Sequence, residues 1–113
     1  MGVFNGAFPV LPGQEDAARS FAKEILGPRY DDFLAHQKAM SVTDERWTLQ
    51  QTPMGSLMLI YFVGDVEKTF TDVATSDSEF PTWLRAQIQA ICGVDLSQPP
   101  EGPEPETLLE WKL

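Results

Sequence analysis

Few residues in this sequence can support disulfides, imidazole chemistry or binding to polyanions. Its 113 residues include one cysteine, one histidine, and 8 Lys and Arg against 17 Asp and Glu. A single cysteine cannot close an internal disulfide, and a lone thiol is typical of a reducing compartment. The formal net charge of -9 repels phosphate backbones and anionic lipid. We therefore predict no nucleic-acid partner and no membrane partner.

The sequence also lacks a long hydrophobic run and the motifs of several common chemistries. Its apolar opening, residues 3–11, is too short to span a bilayer and has no basic flank. No phosphate-binding glycine loop, zinc-ligand spacing, EF-hand loop or nucleophile elbow occurs. We therefore predict one soluble cytoplasmic domain over residues 1–113, with no metal and no cofactor.

The first third of the chain begins as a strand and continues as a helix. Residues 3–11 are apolar on both sides, which is typical of a central strand in a sheet covered twice. Residues 14–26 place apolar side chains three or four apart, which predicts an amphipathic helix. Gly27 and Pro28 interrupt this pattern, because proline cannot donate to the preceding turn. The helical spacing that follows fits either one kinked helix or two short ones.

Residues 43–63 have the pattern of a β-hairpin. Residues 52–55 (Thr-Pro-Met-Gly) fit a type I turn with glycine in the left-handed position, which predicts a three-residue loop. In the resulting register Trp47 faces Tyr61, and Glu45 lies on the same side. The second strand is apolar on both faces and is predicted to be central. The first strand is polar on one face and is predicted to be an edge.

The remaining residues are predicted to form helices, a connector and a last strand or arm. Apolar spacing predicts a helix over 65–75 and another that ends at Gly93. Residues 97–107 are rich in proline and glutamate, which predicts an extended connector. Because Trp111 stands between leucines, we expect residues 108–113 to form a final strand or a docked arm.

The order strand, helix, hairpin, helix, strand predicts an α+β fold. We expect a ferredoxin-like βαββαβ sandwich, with a four-stranded antiparallel sheet and the helices on one face. The other face is then bare, although the central strands are apolar there too. Burial of such a face is favourable, and the simplest cover is the identical sheet of a second copy. We therefore predict a homodimer through the open sheet face, with its two sheets packed face to face.

Four short stretches, spread over most of the chain, carry a resemblance: 8–13 (FPVLPG), 45–50 (ERWTLQ), 80–85 (FPTWLR) and 93–96 (GVDL). In this order they are similar to an uncharacterised family within the dimeric α/β-barrel superfamily of ferredoxin-like domains. The resemblance implies that two such sheets form a barrel. The superfamily includes cofactor-free monooxygenases, haem-dependent enzymes and binding proteins, so the likeness implies a fold without an activity.

Glu45, Trp47 and Tyr61 share one face of the hairpin in the predicted register. A carboxylate beside two amphipathic aromatic rings is typical of a pocket wall, where burial raises its pKa. The alternative is a structural cross-strand aromatic pair, with Glu45 paired to a nearby arginine. The structural alternative is the more common outcome for such a cluster.

Three further side chains are candidates for ligand contacts. Trp83 and Arg85 flank the apolar face of the last helix, and Arg85 either binds a carboxylate ligand or forms an ion pair with Glu45. Asn5 is predicted on a central strand, where a buried amide needs partners. It either binds a ligand or satisfies a neighbouring backbone group.

His36 and Cys92 are the remaining reactive side chains. His36 is a candidate general base that Asp32, one turn earlier, would orient; the alternative is a solvated helix histidine. Cys92 has no Cys-His spacing around it and is predicted to be a small buried hydrophobe.

These observations predict a homodimer that binds a small, mostly apolar molecule in a pocket between helices and sheet. The residues predicted to bind this ligand are Asn5, Glu45, Trp47, Tyr61, Trp83 and Arg85. One alternative is a cofactor-independent monooxygenase or isomerase that uses His36 or Glu45 as its base. A second alternative is an assembly module without a pocket.

Overall fold

The computed structural model describes residues 2–100 and 102–113. Three antiparallel strands form one sheet in the order β1-β3-β2, and four helices pack on one of its faces. The strands are β1 (Gly2–Val10), β2 (Asp44–Thr52) and β3 (Gly55–Gly64). The helices are α1 (Glu15–Leu26), α2 (Tyr30–Ala39), α3 (Val66–Thr75) and α4 (Glu79–Cys92).

Strand β1 lies at an edge of the sheet and not at its centre. Its only sheet neighbour among the described residues is β3, so the prediction of a central first strand is wrong. Of its two apolar sides, the one that carries Phe4, Phe8 and Val10 faces the helices. The opposite side of β1 is exposed to solvent, as expected for a sheet that is covered only once.

Gly27 and Pro28 divide the second element of the chain into two separate helices. Helix α1 ends at Leu26, and the Arg29 N–H returns to the Glu24 carbonyl at 3.0 Å before α2 begins. The Arg29 side chain holds this junction. It pairs with Glu24 at 3.0 Å and with Glu79 at 2.8 Å, and its guanidinium lies 4.0 Å from the centre of the Trp83 ring.

The hairpin between β2 and β3 has a two-residue loop, and the predicted three-residue loop is wrong. Thr52 pairs with Gly55, whose φ of 124° is favourable only for glycine. The Thr52 hydroxyl donates to the Gly55 carbonyl at 2.6 Å, which tightens the turn. The register therefore shifts by one residue, and Trp47 faces Ile60 instead of Tyr61.

Helices α3 and α4 begin and end at the predicted signals. The Asp65 carboxylate accepts the Lys68 N–H at 3.0 Å, which caps the first turn of α3. Helix α4 ends at Gly93, whose φ of 69° is left-handed, and the Gly93 N–H donates to Gln89. These two helices and α1 supply most of the buried core. The fully buried large side chains are Phe21, Ile91 and Cys92.

The predicted ferredoxin-like βαββαβ sandwich, with its four-stranded sheet, is wrong, and so is the dimeric barrel built on that sheet. The strand order β1-β3-β2 fits part of that plan, but no fourth strand occurs among the described residues. Four prolines between residues 99 and 105 supply no amide donors. Residues 108–113 follow them in an irregular, exposed conformation, so the predicted C-terminal strand is absent.

One face of the sheet is not covered by the described chain; we call it the open face. It carries alternate side chains of all three strands, among them Leu57, Leu59 and Val63 of the central strand. Val3 is 54% exposed and Tyr61 is 39% exposed on this face. None of the described helices has the length and hydrophobicity that a bilayer crossing requires.

Candidate ligand-binding site

The candidate site is built around Glu45, on the helix-facing side of β2. Strand alternation places Glu45 and Trp47 on the same side, and the indole Nε1 donates to Glu45 Oε2 at 2.7 Å. Gln37 of α2 reaches across and donates its Nε2 to Glu45 Oε1 at 2.8 Å. Each carboxylate oxygen is therefore held by one neutral donor.

Burial raises the pKa of the Glu45 carboxyl, while its hydrogen bonds with Gln37 and Trp47 oppose that shift. No Lys or Arg forms an ion pair with this carboxylate in the described part of the chain. A carboxylate removed from water without a cation is unstable as an anion. Glu45 is therefore suited to exchange a proton or to accept a donor from a bound molecule.

Two spaces meet at this cluster. A groove of about 360 Å³ lies between α1, α2 and β2. An inner cavity of about 70 Å³ lies between the sheet and α2, α3 and α4. Four side chains contribute to the walls of both spaces: Phe33, Gln37, Glu45 and Trp47. The Glu45 carboxylate thus stands where an outer groove meets a smaller, mostly aromatic interior.

His36 faces the inner cavity from α2. Its Nδ1 lies 3.8 Å from Oδ2 of Asp72 on α3, and its ring packs against Phe80 with centroids 5.6 Å apart. Burial lowers the pKa of His36, and the Asp72 charge opposes that shift. The acidic side chain that faces the His36 ring is Asp72, 36 residues further along the sequence, and not the predicted Asp32; at 3.8 Å the two groups do not form a hydrogen bond. His36 is neither solvated nor free: only 10% of its side chain is exposed.

The structure brings together only part of the predicted ligand-binding set. Glu45 and Trp47 lie in the groove wall, and His36 lies in the adjoining cavity. Asn5 and Tyr61 pair with each other on the open face, on the opposite side of the sheet. The separation of Tyr61 from Glu45 follows from the one-residue difference between the predicted and observed hairpin registers.

Trp83 and Arg85 contact the protein interior and the helix connection, and they do not line either space. The Trp83 ring packs against the Phe21 ring, with the two centroids 5.3 Å apart. The Arg29 guanidinium lies 4.0 Å from the centre of the Trp83 ring. Arg85 donates to the carbonyls of Val73 at 2.6 Å and Ser76 at 2.8 Å. The predicted ion pair between Arg85 and Glu45 is absent, because Arg85 holds the end of α3 against α4.

Sequence reasoning missed the two α2 residues that complete the site. Gln37 interrupts an otherwise apolar stripe on α2, and this was the available signal that its amide needs a buried partner. Phe33, one turn earlier, forms the shared wall of both spaces. Cys92 is buried as predicted, and burial raises the pKa of its thiol to about 11.

The site offers hydrogen-bonding and proton-exchange groups rather than metal ligands. No group of three His, Cys, Asp or Glu side chains that could hold a metal ion occurs within residues 2–100 and 102–113. No protein-family model matches the chain, and no curated protein and no solved structure shows significant similarity to it. The resemblance to the dimeric α/β-barrel superfamily therefore stays a prediction.

We expect the Glu45→Gln variant to change how stability depends on pH. The folded protein holds the Glu45 proton to a higher pH than the unfolded chain, because burial raises the pKa. Below the unfolded-state pKa, about 4.3, the protonated Glu45 carboxyl contributes to the stability of the wild-type fold. The wild-type protein loses this stability as the pH rises from that value through the folded-state pKa. Urea unfolding across that range should show Glu45→Gln gaining stability relative to wild type as pH rises.

A matched control is Glu67→Gln, which removes one carboxyl group from an exposed position in the first turn of α3. Its stability difference from wild type should vary less with pH than that of Glu45→Gln. Parallel pH curves for wild type and Glu45→Gln would contradict the assignment of Glu45 as a desolvated carboxyl.

Proposed function

We propose that this protein binds a small, mostly apolar molecule in the groove between α1, α2 and β2, with Glu45 as its polar anchor. The observation that carries this proposal is the Glu45 carboxylate, held by Gln37 and Trp47 where the groove meets the inner cavity. Pockets of roughly 300–1,000 Å³ with apolar walls and a few oriented polar groups are the usual sites for small ligands. The groove, at about 360 Å³, is within that range.

The lining also restricts the charge of the ligand. The described walls of the groove and cavity contain no Lys or Arg, whereas Glu45 contributes a carboxyl group. The chain as a whole has a net charge of -9. An anionic ligand would meet repulsion and no counter-ion here, so the proposed ligand is neutral or basic.

A second candidate function is cofactor-independent catalysis, as in a monooxygenase or isomerase. It is favoured by the desolvated Glu45 carboxyl, since acids and bases with perturbed pKa values are typical of catalytic sites. Glu45 would accept a proton from a substrate in the groove, and His36 is the other candidate base.

The small volume of the inner cavity, about 70 Å³, instead favours the third possibility, an assembly module with a solid interior.

A thermal-shift screen tests the binding proposal. We expect neutral or basic aromatic and alicyclic compounds to raise the melting temperature, whereas carboxylic acids of the same shape do not. A ligand present at one hundred times its dissociation constant stabilises a protein by about 2.7 kcal/mol. The matched variant is Leu34→Trp, which adds bulk to the groove wall at a half-buried position and should abolish the shift.

Two results would count against the proposal. One is a screen in which no neutral or basic compound stabilises the wild-type protein. The other is a set of equal shifts in wild type and Leu34→Trp, which would place the binding elsewhere. A hit that is also consumed or altered during incubation would favour the catalytic candidate over simple binding.

We also propose that the protein is a homodimer through its open face, and that it functions in the cytoplasm. The support is the row of apolar side chains on β3, Leu57, Leu59 and Val63, which the described helices leave uncovered. A contiguous apolar sheet face is unfavourable in water, and a two-fold axis allows two copies to cover each other. The single buried thiol, Cys92, fits a reducing compartment.

A further inference from the structure

The last six residues of the chain form an irregular, exposed and amphipathic segment, which we call the arm (residues 108–113). Leu109, Trp111 and Leu113 alternate with Glu110 and Lys112. The two charged side chains approach each other, with Lys112 Nζ 3.8 Å from Glu110 Oε1, as expected when alternate residues share a side. The arm therefore has one apolar side and one charged side.

The domain that carries the arm does not bury its apolar side. Leu109 is 83% exposed, Trp111 is 74% exposed and Leu113 is fully exposed. Large apolar side chains grouped in this way are uncommon on the surface of a monomer and typically mark a contact with another molecule. Trp is also the residue type most enriched among side chains that dominate binding at interfaces.

The connector gives the arm enough reach to contact a neighbouring molecule. Val94 and Leu96 still pack on the core, so the free segment begins at residue 97. The 11-residue connector, positions 97–107, is long enough to reach at most about 34 Å at about 3.1 Å per residue. The longest dimension of the chain is 37 Å. An arm that leaves one copy can therefore lie across a facing copy.

The open face has the chemistry to receive this arm. Its β1 margin carries Val3, Ala7 and Pro9 and one polar, uncharged side chain, Asn5, all exposed, and the open face has no acidic residue on β1 or β3. Two copies with a net charge of -9 each repel one another in general. An uncharged, mostly apolar margin is where such copies can approach at the lowest electrostatic cost.

We infer that the arm of one copy lies against the β1 margin of the open face of a second copy, with Trp111 and Leu109 facing the sheet. This inference rests on the proposed homodimer and identifies a segment that holds it together. A two-fold axis makes the exchange reciprocal, so each copy donates one arm and receives one. The arm then covers part of the open face of the receiving copy, which the helices of that copy leave exposed.

Cysteine cross-linking between two differently tagged chains tests the inference. One chain carries Leu109→Cys in the arm, and the other carries Ala7→Cys on the β1 margin. The native Cys92 is buried and its thiol pKa is raised to about 11, so it stays unreactive during oxidation near pH 8. We expect a disulfide-linked heterodimer in at least tenfold higher yield than with Met54→Cys, at the exposed hairpin tip, as the second chain.

Two outcomes would overturn the inference. One is equal yields with Ala7→Cys and Met54→Cys. The other is an internal disulfide at high dilution when Leu109→Cys and Ala7→Cys are placed in the same chain, because the arm would then cover its own sheet. Light scattering on the wild-type protein separates the two proposals: a dimer without the arm-to-sheet disulfide retains the homodimer and removes the arm exchange.

Discussion

A Leu59→Glu variant should be a monomer under conditions in which the wild-type protein has about twice the 12.6 kDa chain mass. Leu59 lies at the middle of β3 on the open face, opposite Ala7 of β1 and Thr48 of β2. In the proposed homodimer the variant would bury two uncompensated carboxylates close to the two-fold axis. Leaving a charge buried without its partner costs about 3–5 kcal/mol. The dissociation constant of the dimer should therefore rise at least 100-fold.

Size-exclusion chromatography with light scattering at micromolar concentration measures this effect. Met54→Glu adds the same charge at a hairpin-tip position that is 99% exposed, and it should leave the dimer intact. Circular dichroism should show that both variants remain folded, since neither side chain belongs to the buried core. A wild-type protein that elutes as a monomer, or an unchanged Leu59→Glu dimer, would disprove association through the open face.

We expect Phe21→Ala to have the largest effect on stability of any substitution considered. Phe21 is 2% exposed, and its ring lies 5.3 Å from those of Trp47 and Trp83, so it joins the sheet to α1 and α4. Truncating a buried phenylalanine costs about 3–5 kcal/mol through lost burial and the cavity that remains. That is a large share of the roughly 5–15 kcal/mol that stabilises a typical domain.

Urea unfolding monitored by tryptophan fluorescence measures this cost, and the midpoint should fall while the slope stays the same. The control is Leu26→Ala on the same helix, which is 66% exposed. Such surface substitutions usually change stability by less than about 0.5 kcal/mol. Similar losses for the two variants would mean that Phe21 is not the packing centre that its contacts indicate.

The local elements could be predicted from the sequence because each depends on neighbouring residues. The predicted helix over 65–75 and the predicted stop at Gly93 depend on residues within or beside each helix, and the structure confirms both. The apolar character of both sides of β1 could likewise be predicted from the sequence. Its position in the sheet could not be, because a strand with apolar residues on both sides can be a central strand or an edge strand whose outer face is bare.

The candidate site was only partly predictable, because its geometry depends on one residue of hairpin register. A loop of two residues instead of three moves Tyr61 to the opposite side of the sheet from Trp47. The contact between Gln37 and Glu45 joins a helix to a strand across a turn, and no local periodicity encodes it. Glu45 was identified because it shares a strand face with Trp47, and a carboxylate beside an aromatic ring is typical of a pocket wall.

The prediction of a fourth, C-terminal strand was wrong for a different reason. The composition of residues 108–113, with Trp111 between leucines, predicts burial, but the structure leaves these side chains exposed. Composition does not specify which surface receives the segment, and the prolines of the connector separate it from the rest of the sheet. The prediction left a final strand and a docked arm open, and the described chain shows neither a strand nor a buried arm there.

The position of β1 has a consequence for handling the protein in concentrated solution. Its outer border has no neighbouring strand among the described residues, so backbone amides and carbonyls there remain available for hydrogen bonding. Borders of this kind can recruit further strands laterally and grow into fibrillar aggregates. Pro9 lacks an amide hydrogen near the end of this border, which shortens the ladder that an incoming strand can form.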